Sequence, residues 1–330
     1  MSSKFYPKSS GLSLLVVAAA VICGAVPVAS EQSASVTGTA QQAPPTDRVT
    51  PNISEVVAGG TKIEVVKYGL PGTDGPVSLP DGSVILSALG GVIKVDKDGN
   101  TSTLVKDSGY SRGLALDSKG RVIAAEQKTR QVGVVYPKGS EMVLADNYDG
   151  QPLIEPNDLV VNKKGGVYFS VRPVSPLAVY YIPPGGKAIK VADGIEGPDG
   201  VTLSTDEGIL YVNNKAGEYL LAYDVQPDGT LRNRRNFAKY EGVKRTENGM
   251  DSGADGLTID SKGRLYATTA IGVQVFSSQG QHLGTIPIPL DPPAQNLGFA
   301  GPDKKDLYVV GRGVVFKIHM LAQGYKGRAK

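Results

Sequence analysis

Six stretches of this chain can be laid under one another: "DGPVSLPDGSVILS", "RGLALDSKGRVIAA", "NDLVVNKKGGVYFS", "DGVTLSTDEGILYV", "DGLTIDSKGRLYAT" and "NLGFAGPDKKDLYVV". Each is an apolar run, a polar turn and a second apolar run, the pattern of a β-hairpin. They begin at Asp74, Arg112, Asn157, Asp199, Asp255 and Asn296, spaced 38, 45, 42, 56 and 41 residues apart. A unit of that length holds about four short strands, and such repeats predict a β-propeller, here with six blades. "TKIEVVKYG" near the start and "GVVFKIHML" near the end are expected to be outer strands that close the ring and leave little exposed edge. Composition agrees with an all-β chain: 42 Gly and 22 Pro in 330 residues supply the turns, and no periodic apolar helix follows residue 30.

The register gives the six leading residues one shared position, the entry to the innermost strand of each blade. Six such positions ring one mouth of a central channel. They hold three carboxylates (Asp74, Asp199, Asp255), two amides (Asn157, Asn296) and Arg112. Carboxylates facing one axis repel unless positive charge lies between them. A hard divalent cation supplies it, because Ca²⁺ accepts Asp and Asn oxygens in a loose shell of about six to eight ligands. One Asp-Gly before a strand is only a turn. Oxygen-bearing side chains at four matching positions, Asp74, Asn157, Asp199 and Asp255, point instead to a metal-binding channel. Arg112 either pairs with a neighbouring acid such as Glu126 or holds an oxygen of an anionic or polar substrate.

Residues 1–30 differ from the rest. Lys4 and Lys8 precede "GLSLLVVAAAVICGAVPVAS", an apolar run ending in small residues, which predicts a signal peptide cut after Ser30. A membrane anchor is the competing reading, since the run is nearly long enough to span; the small-residue end and the polar stretch beyond it favour cleavage, with no stable membrane insertion afterwards. The expected address is exported, periplasmic or extracellular. Cys23, the one cysteine, leaves with the leader, so packing or a bound metal must do what disulfides do elsewhere. Residues 31–54 read as a flexible linker and 55–330 as the propeller. The formal charge of +3 falls to +1 without Lys4 and Lys8, and no basic stripe indicates nucleic acid.

At "EPNDLVVNKKGGVYFS", "GPDGVTLSTDEGILYV", "NNKAGEYLLAYDVQPDGTLRNRRNFAKY" and "DGLTIDSKGRLYA" the sequence resembles the gluconolactonase, regucalcin and senescence-marker-protein family, six-bladed propellers with one catalytic metal in the channel. The resemblance covers roughly residues 60–320. It implies Asp74, Asp199 and Asp255 as ligands of one divalent cation, Ca²⁺ before Mg²⁺, Mn²⁺ or Zn²⁺. Asn157 is then a ligand or a partner of substrate, and Asp255 the general base. The implied activity is hydrolysis of a small lactone or related ester; Asn157 and Arg112 are expected to position the substrate, together with Arg172, which this chain carries where it departs from the family. A propeller that binds a ligand without turnover is the alternative.

The chain departs from the family at three places. Asp74 stands where the family carries Glu, which retracts the carboxylate by roughly 1.5 Å. Asp199 stands where it carries Asn, adding a negative charge. "SVRP" replaces Thr-Asp-Pro and brings Arg172 to the substrate side.

Two other signals carry no chemistry. "GYSRG" matches a nucleophile elbow at Ser111, but a strand rather than the required helix follows it. His282 and His319 lie on distant strands, and His319 alternates with Lys317 on a solvated face.

Overall fold

A computed structural model describes residues 44–88, 90–172, 177–247 and 249–328. The expected signal peptide, and the linker as far as residue 43, lie outside them. The described residues contain no helix, so none is long and apolar enough to cross a membrane. Six four-stranded antiparallel sheets account for most of the chain, the six blades of a propeller.

Their innermost strands are Asp74–Ser78, Ser111–Leu116, Pro156–Val161, Pro198–Leu203, Leu257–Ile259 and Asn296–Ala300, in blades one to six. Five of the six leading positions stand within the first two residues of these strands, and Asp255 just before its own. The second strands return from the turn: Val84–Ala88, Val122–Glu126, Val167–Val171, Ile209–Asn214, Leu265–Thr269 and Asp306–Gly311.

Neighbouring inner strands approach closely because they begin with residues that have no side chain to keep them apart. A Cβ on Gly75 would overlap the Arg112 carbonyl oxygen, and one on Gly200 would overlap that of Asp255. Gly200 N–H donates to the same Asp255 oxygen at 2.8 Å, so blades four and five are joined directly through their backbones. Outside this ring, apolar side chains fill the spaces between blades. Leu159, Phe169 and Tyr180 of blade three pack against Ala125, Val132 and Val134 of blade two.

Blade six is assembled from both ends of the chain. Ile63–Lys67 forms its outermost strand and pairs with Val314–His319, with Ile63 opposite Ile318 and Glu64 opposite Lys317. "TKIEVVKYG" is therefore the closing outer strand, whereas "GVVFKIHML" lies one strand further in. Part of the stretch expected as linker also belongs to the fold. Val49 bridges to Lys62, and Ile53 packs with Val56, Val57 and Ile318 in the blade-six core. The polar composition around these few apolar residues hides them in the sequence.

At the opposite mouth of the channel the C-terminal segment is tied down. Tyr325 donates its hydroxyl to Thr205 O at 2.8 Å, and Arg328 pairs with Glu207 at 3.2 Å. The Lys304 ammonium donates to the carbonyls of Tyr325 and Arg328.

Candidate active site at the channel mouth

The inner strands carry their leading side chains inward, where little solvent reaches them. Asp74, Asn157, Asp199 and Asp255 are 3%, 7%, 1% and 8% exposed, and a carboxylate so buried demands partners. They come from the adjacent blades. Asn296 of blade six donates to Asp74 Oδ1 at 3.0 Å, and Asn157 of blade three donates to Asp199 Oδ1 at 3.1 Å.

Three cations complete the set, one for each acid. Arg112 Nη1 lies 3.7 Å from Asp74 Oδ2, Arg172 Nε 2.9 Å from Asp199 Oδ2, and Lys215 Nζ 3.1 Å from Asp255 Oδ2. Arg112 also donates through Nε to Gln127 Oε1 at 3.0 Å. Glu126, a possible partner from the sequence, is not that partner. It turns away and accepts hydrogen bonds from Thr129 and Gln131.

The contact between Arg172 and Asp199 is close but misaligned. The N–H does not point at the oxygen, and neither atom makes a hydrogen bond. Asp199 Oδ2 is thus a fully buried carboxylate oxygen held by charge alone.

The titration behaviour records how near these groups are to one another. Burial pushes the Asp74 carboxyl up to about 6, and the Asp255 carboxylate adds to the effect while Arg112 and Asn296 oppose it. Burial also holds Asp199 well above the ordinary carboxylate range, reinforced by Asp255 and opposed by Arg172 and Lys215. Burial disfavours the Arg172 charge, yet the carboxylates of Asp199, Asp255 and Asp74 leave its pKa raised. Asp74, Asp199, Asp255 and Arg172 therefore share one electrostatic field, as their equivalent positions predict.

Sequence reasoning missed Lys215. Arg172 and Lys215 are each the first residue after the second strand of their blade, and each reaches the leading acid of the next blade. The repeat contained that signal, but it is visible only when the second strands are aligned at their far ends. Behind the site, Asn213 Nδ2 donates to the carbonyls of Asp255 and Gly256, and the Tyr240 hydroxyl donates to Asn213 Oδ1. Asp158 Oδ2 accepts from Val201 N–H at 3.0 Å and clamps blade three to blade four.

The residues fit a hard divalent cation in donor chemistry. Three carboxylates and an amide oxygen face one point of entry, and Asp199 Oδ2 lacks an aligned donor. In arrangement each acid is turned to its own cation: among the described residues, no three carboxylate, imidazole or thiol groups are gathered closely enough to hold a metal. Ser111 is confirmed as a strand residue, hydrogen-bonded to Ser108 at 2.7 Å, and His319 is exposed against Asp306.

Residues 74–312 match a family model described as the SMP-30/gluconolactonase/LRE-like region. The gluconolactonase of Zymomonas mobilis is 27% identical over 306 residues, 79% of this chain and 85% of that protein. Lactonase drp35 of Staphylococcus aureus is 27% identical over 191 residues, 52% of this chain and 56% of that one. Among solved structures, a gluconolactonase of Xanthomonas campestris is 26% identical with a TM-score of 0.73, covering 85% of this chain and 98% of its own. A regucalcin of Agrobacterium tumefaciens, described as a calcium-binding protein, shares the fold at 18% identity and a TM-score of 0.65, covering 79% and 96%.

Proposed function

The chain belongs to the SMP-30/gluconolactonase/LRE-like family, and from that premise we propose that it is a metal-dependent lactonase acting at the mouth ringed by Asp74, Asn157, Asp199 and Asp255. One observation carries this reading. Buried carboxylates from three blades ring one mouth of the channel, and one of them, Asp255, is restrained by Lys215 through a single oxygen.

Lys215 occupies Asp255 Oδ2 at 3.1 Å, which leaves Oδ1 to accept a proton from the attacking water. As the tetrahedral species collapses, the ring C–O bond breaks and the same proton passes from Asp255 to the leaving alkoxide, giving a hydroxy acid. Arg112 is steadied by Gln127 through Nε, and its guanidinium, that of Arg172 and the second amide N–H of Asn157, whose first bonds Asp199, would hold substrate oxygens. A divalent cation held by Asp74, Asn157, Asp199 and Asp255, Ca²⁺ before Mg²⁺, Mn²⁺ or Zn²⁺, would polarise the lactone carbonyl. The proposal includes export, with residues 1–30 removed.

The test is a pH-stat assay on a broad lactone panel, with the purified protein loaded with each metal in turn and then treated with chelator. Hydrolysis that stops with chelator and in Asp255→Asn is expected. Full activity in Asp255→Asn would sink the mechanism. Bound metal with no turnover on any lactone would favour a ligand-binding propeller instead. N-terminal sequencing of the mature protein checks cleavage after Ser30.

A further inference from the structure

Arg172 is the most enclosed of the three cations, yet it makes no aligned hydrogen bond to its acid. Its side chain is 23% exposed, and it rests on the most buried carboxylate of the site, 1% exposed at Asp199. Asp199 Oδ1 is already taken by the Asn157 amide, so Oδ2 is the oxygen left to meet anything in the channel. Arg172 covers that oxygen at 2.9 Å without the alignment of a hydrogen bond. Lys215, by contrast, makes a hydrogen bond to Asp255, and Arg112, 3.7 Å from Asp74, is anchored by its hydrogen bond to Gln127. A charge pair without directional bonding is the one most easily exchanged for another cation.

We infer that Arg172 is a built-in competitor for the divalent cation, its guanidinium and the metal being mutually exclusive occupants of Asp199 Oδ2. Metal occupancy is then graded by concentration rather than permanent. When the metal is bound, Arg172 is released toward the channel mouth, where it becomes available to substrate oxygens. This inference rests on the metal reading proposed above.

The experiment is calorimetric titration of chelator-treated protein with Ca²⁺ alone, alongside melting temperature with and without Ca²⁺. It compares wild type, Arg172→Gln, Arg172→Lys, Asp199→Asn and the Asp199→Asn/Arg172→Gln pair. Removing the competitor should tighten Ca²⁺ binding about ten- to hundredfold in Arg172→Gln, with Arg172→Lys between the two. Without Ca²⁺ the Arg172→Gln protein should melt below wild type, because Asp199 loses its counter-charge, and Ca²⁺ should recover the difference. In the Asp199→Asn background the same change at 172 should move the Ca²⁺ affinity little, since the contested carboxylate is gone.

Equal or weaker Ca²⁺ binding by Arg172→Gln overturns the competition while leaving the lactonase reading intact. Absence of Ca²⁺ binding in every variant overturns both the competition and the metal; chelator-resistant lactone hydrolysis would then still identify the enzyme.

Discussion

Asp74 stands as a charged group against its surroundings, and pH should reveal the strain. Its folded carboxyl titrates at about 6, against the ordinary 3.8. Between those values the folded protein binds more protons than the unfolded chain, so stability falls as pH rises. Over that window the loss attributable to Asp74 is about 3 kcal/mol, and Asp199, also raised, acts with the same sign. For metal-free protein, melting temperature should therefore drop from pH 4 toward pH 7, and Asp74→Asn should remove its share of the slope. A flat or rising profile in chelator would contradict the burial described for these acids. Lys215 provides a kinetic test at the same scale. Lys215→Met should lower kcat about ten- to hundredfold with a smaller change in KM, and Lys215→Arg should recover part of it. Unchanged kinetics would make Lys215 a bystander.

Among the elements, the inner strands impose the tightest demands. Gly200→Ala puts a methyl group against the Asp255 carbonyl oxygen that Gly200 N–H itself bonds, and it should cost about 3 kcal/mol in denaturant unfolding. Gly208→Ala, in the turn of the same hairpin, meets nothing nearer than Asp206 at 3.5 Å and should stay within about 0.5 kcal/mol of wild type. Equal losses at both sites would refute the close approach of blades four and five.

The hairpins are legible in the sequence because strand alternation and turn residues are local, and their equal register is enough to single out the leading positions. Contacts between blades are not legible. Sequence offers Arg112 the neighbouring Glu126, which faces Ser111 across the hairpin, because it shows only what is close along a strand. The true partner, Asp74, belongs to the preceding blade and is brought near by the packing of one sheet on another. Lys215 escapes notice for the same reason, since nothing local links it to Asp255. Ile53 reads as linker because its role exists only once blade six is assembled.

The whole molecule depends on its seam. Without the strand Ile63–Lys67, blade six would present the open edge of Val314–His319, and the cluster around Val56, Val57 and Ile63 would lose one wall. A protein starting after residue 67 should aggregate or lose its cooperative thermal transition, as light scattering and calorimetry would show. A soluble, cooperatively melting product would mean that the seam is dispensable. A cation should act at the centre of the ring: if it links acids from three blades, adding Ca²⁺ should raise the melting temperature with a logarithmic dependence on its concentration.

The seam also sets the order of events in time. Ile63 and Ile318 are opposite one another although about 250 residues separate them along the chain, so their meeting carries nearly the full entropy of closing the longest loop available. Every shorter product of synthesis is an unfinished arc with a strand edge still seeking a partner. The last blade to be made is thus the one whose strand Val314–His319 gives Ile63–Lys67 its partner and closes the ring of six sheets.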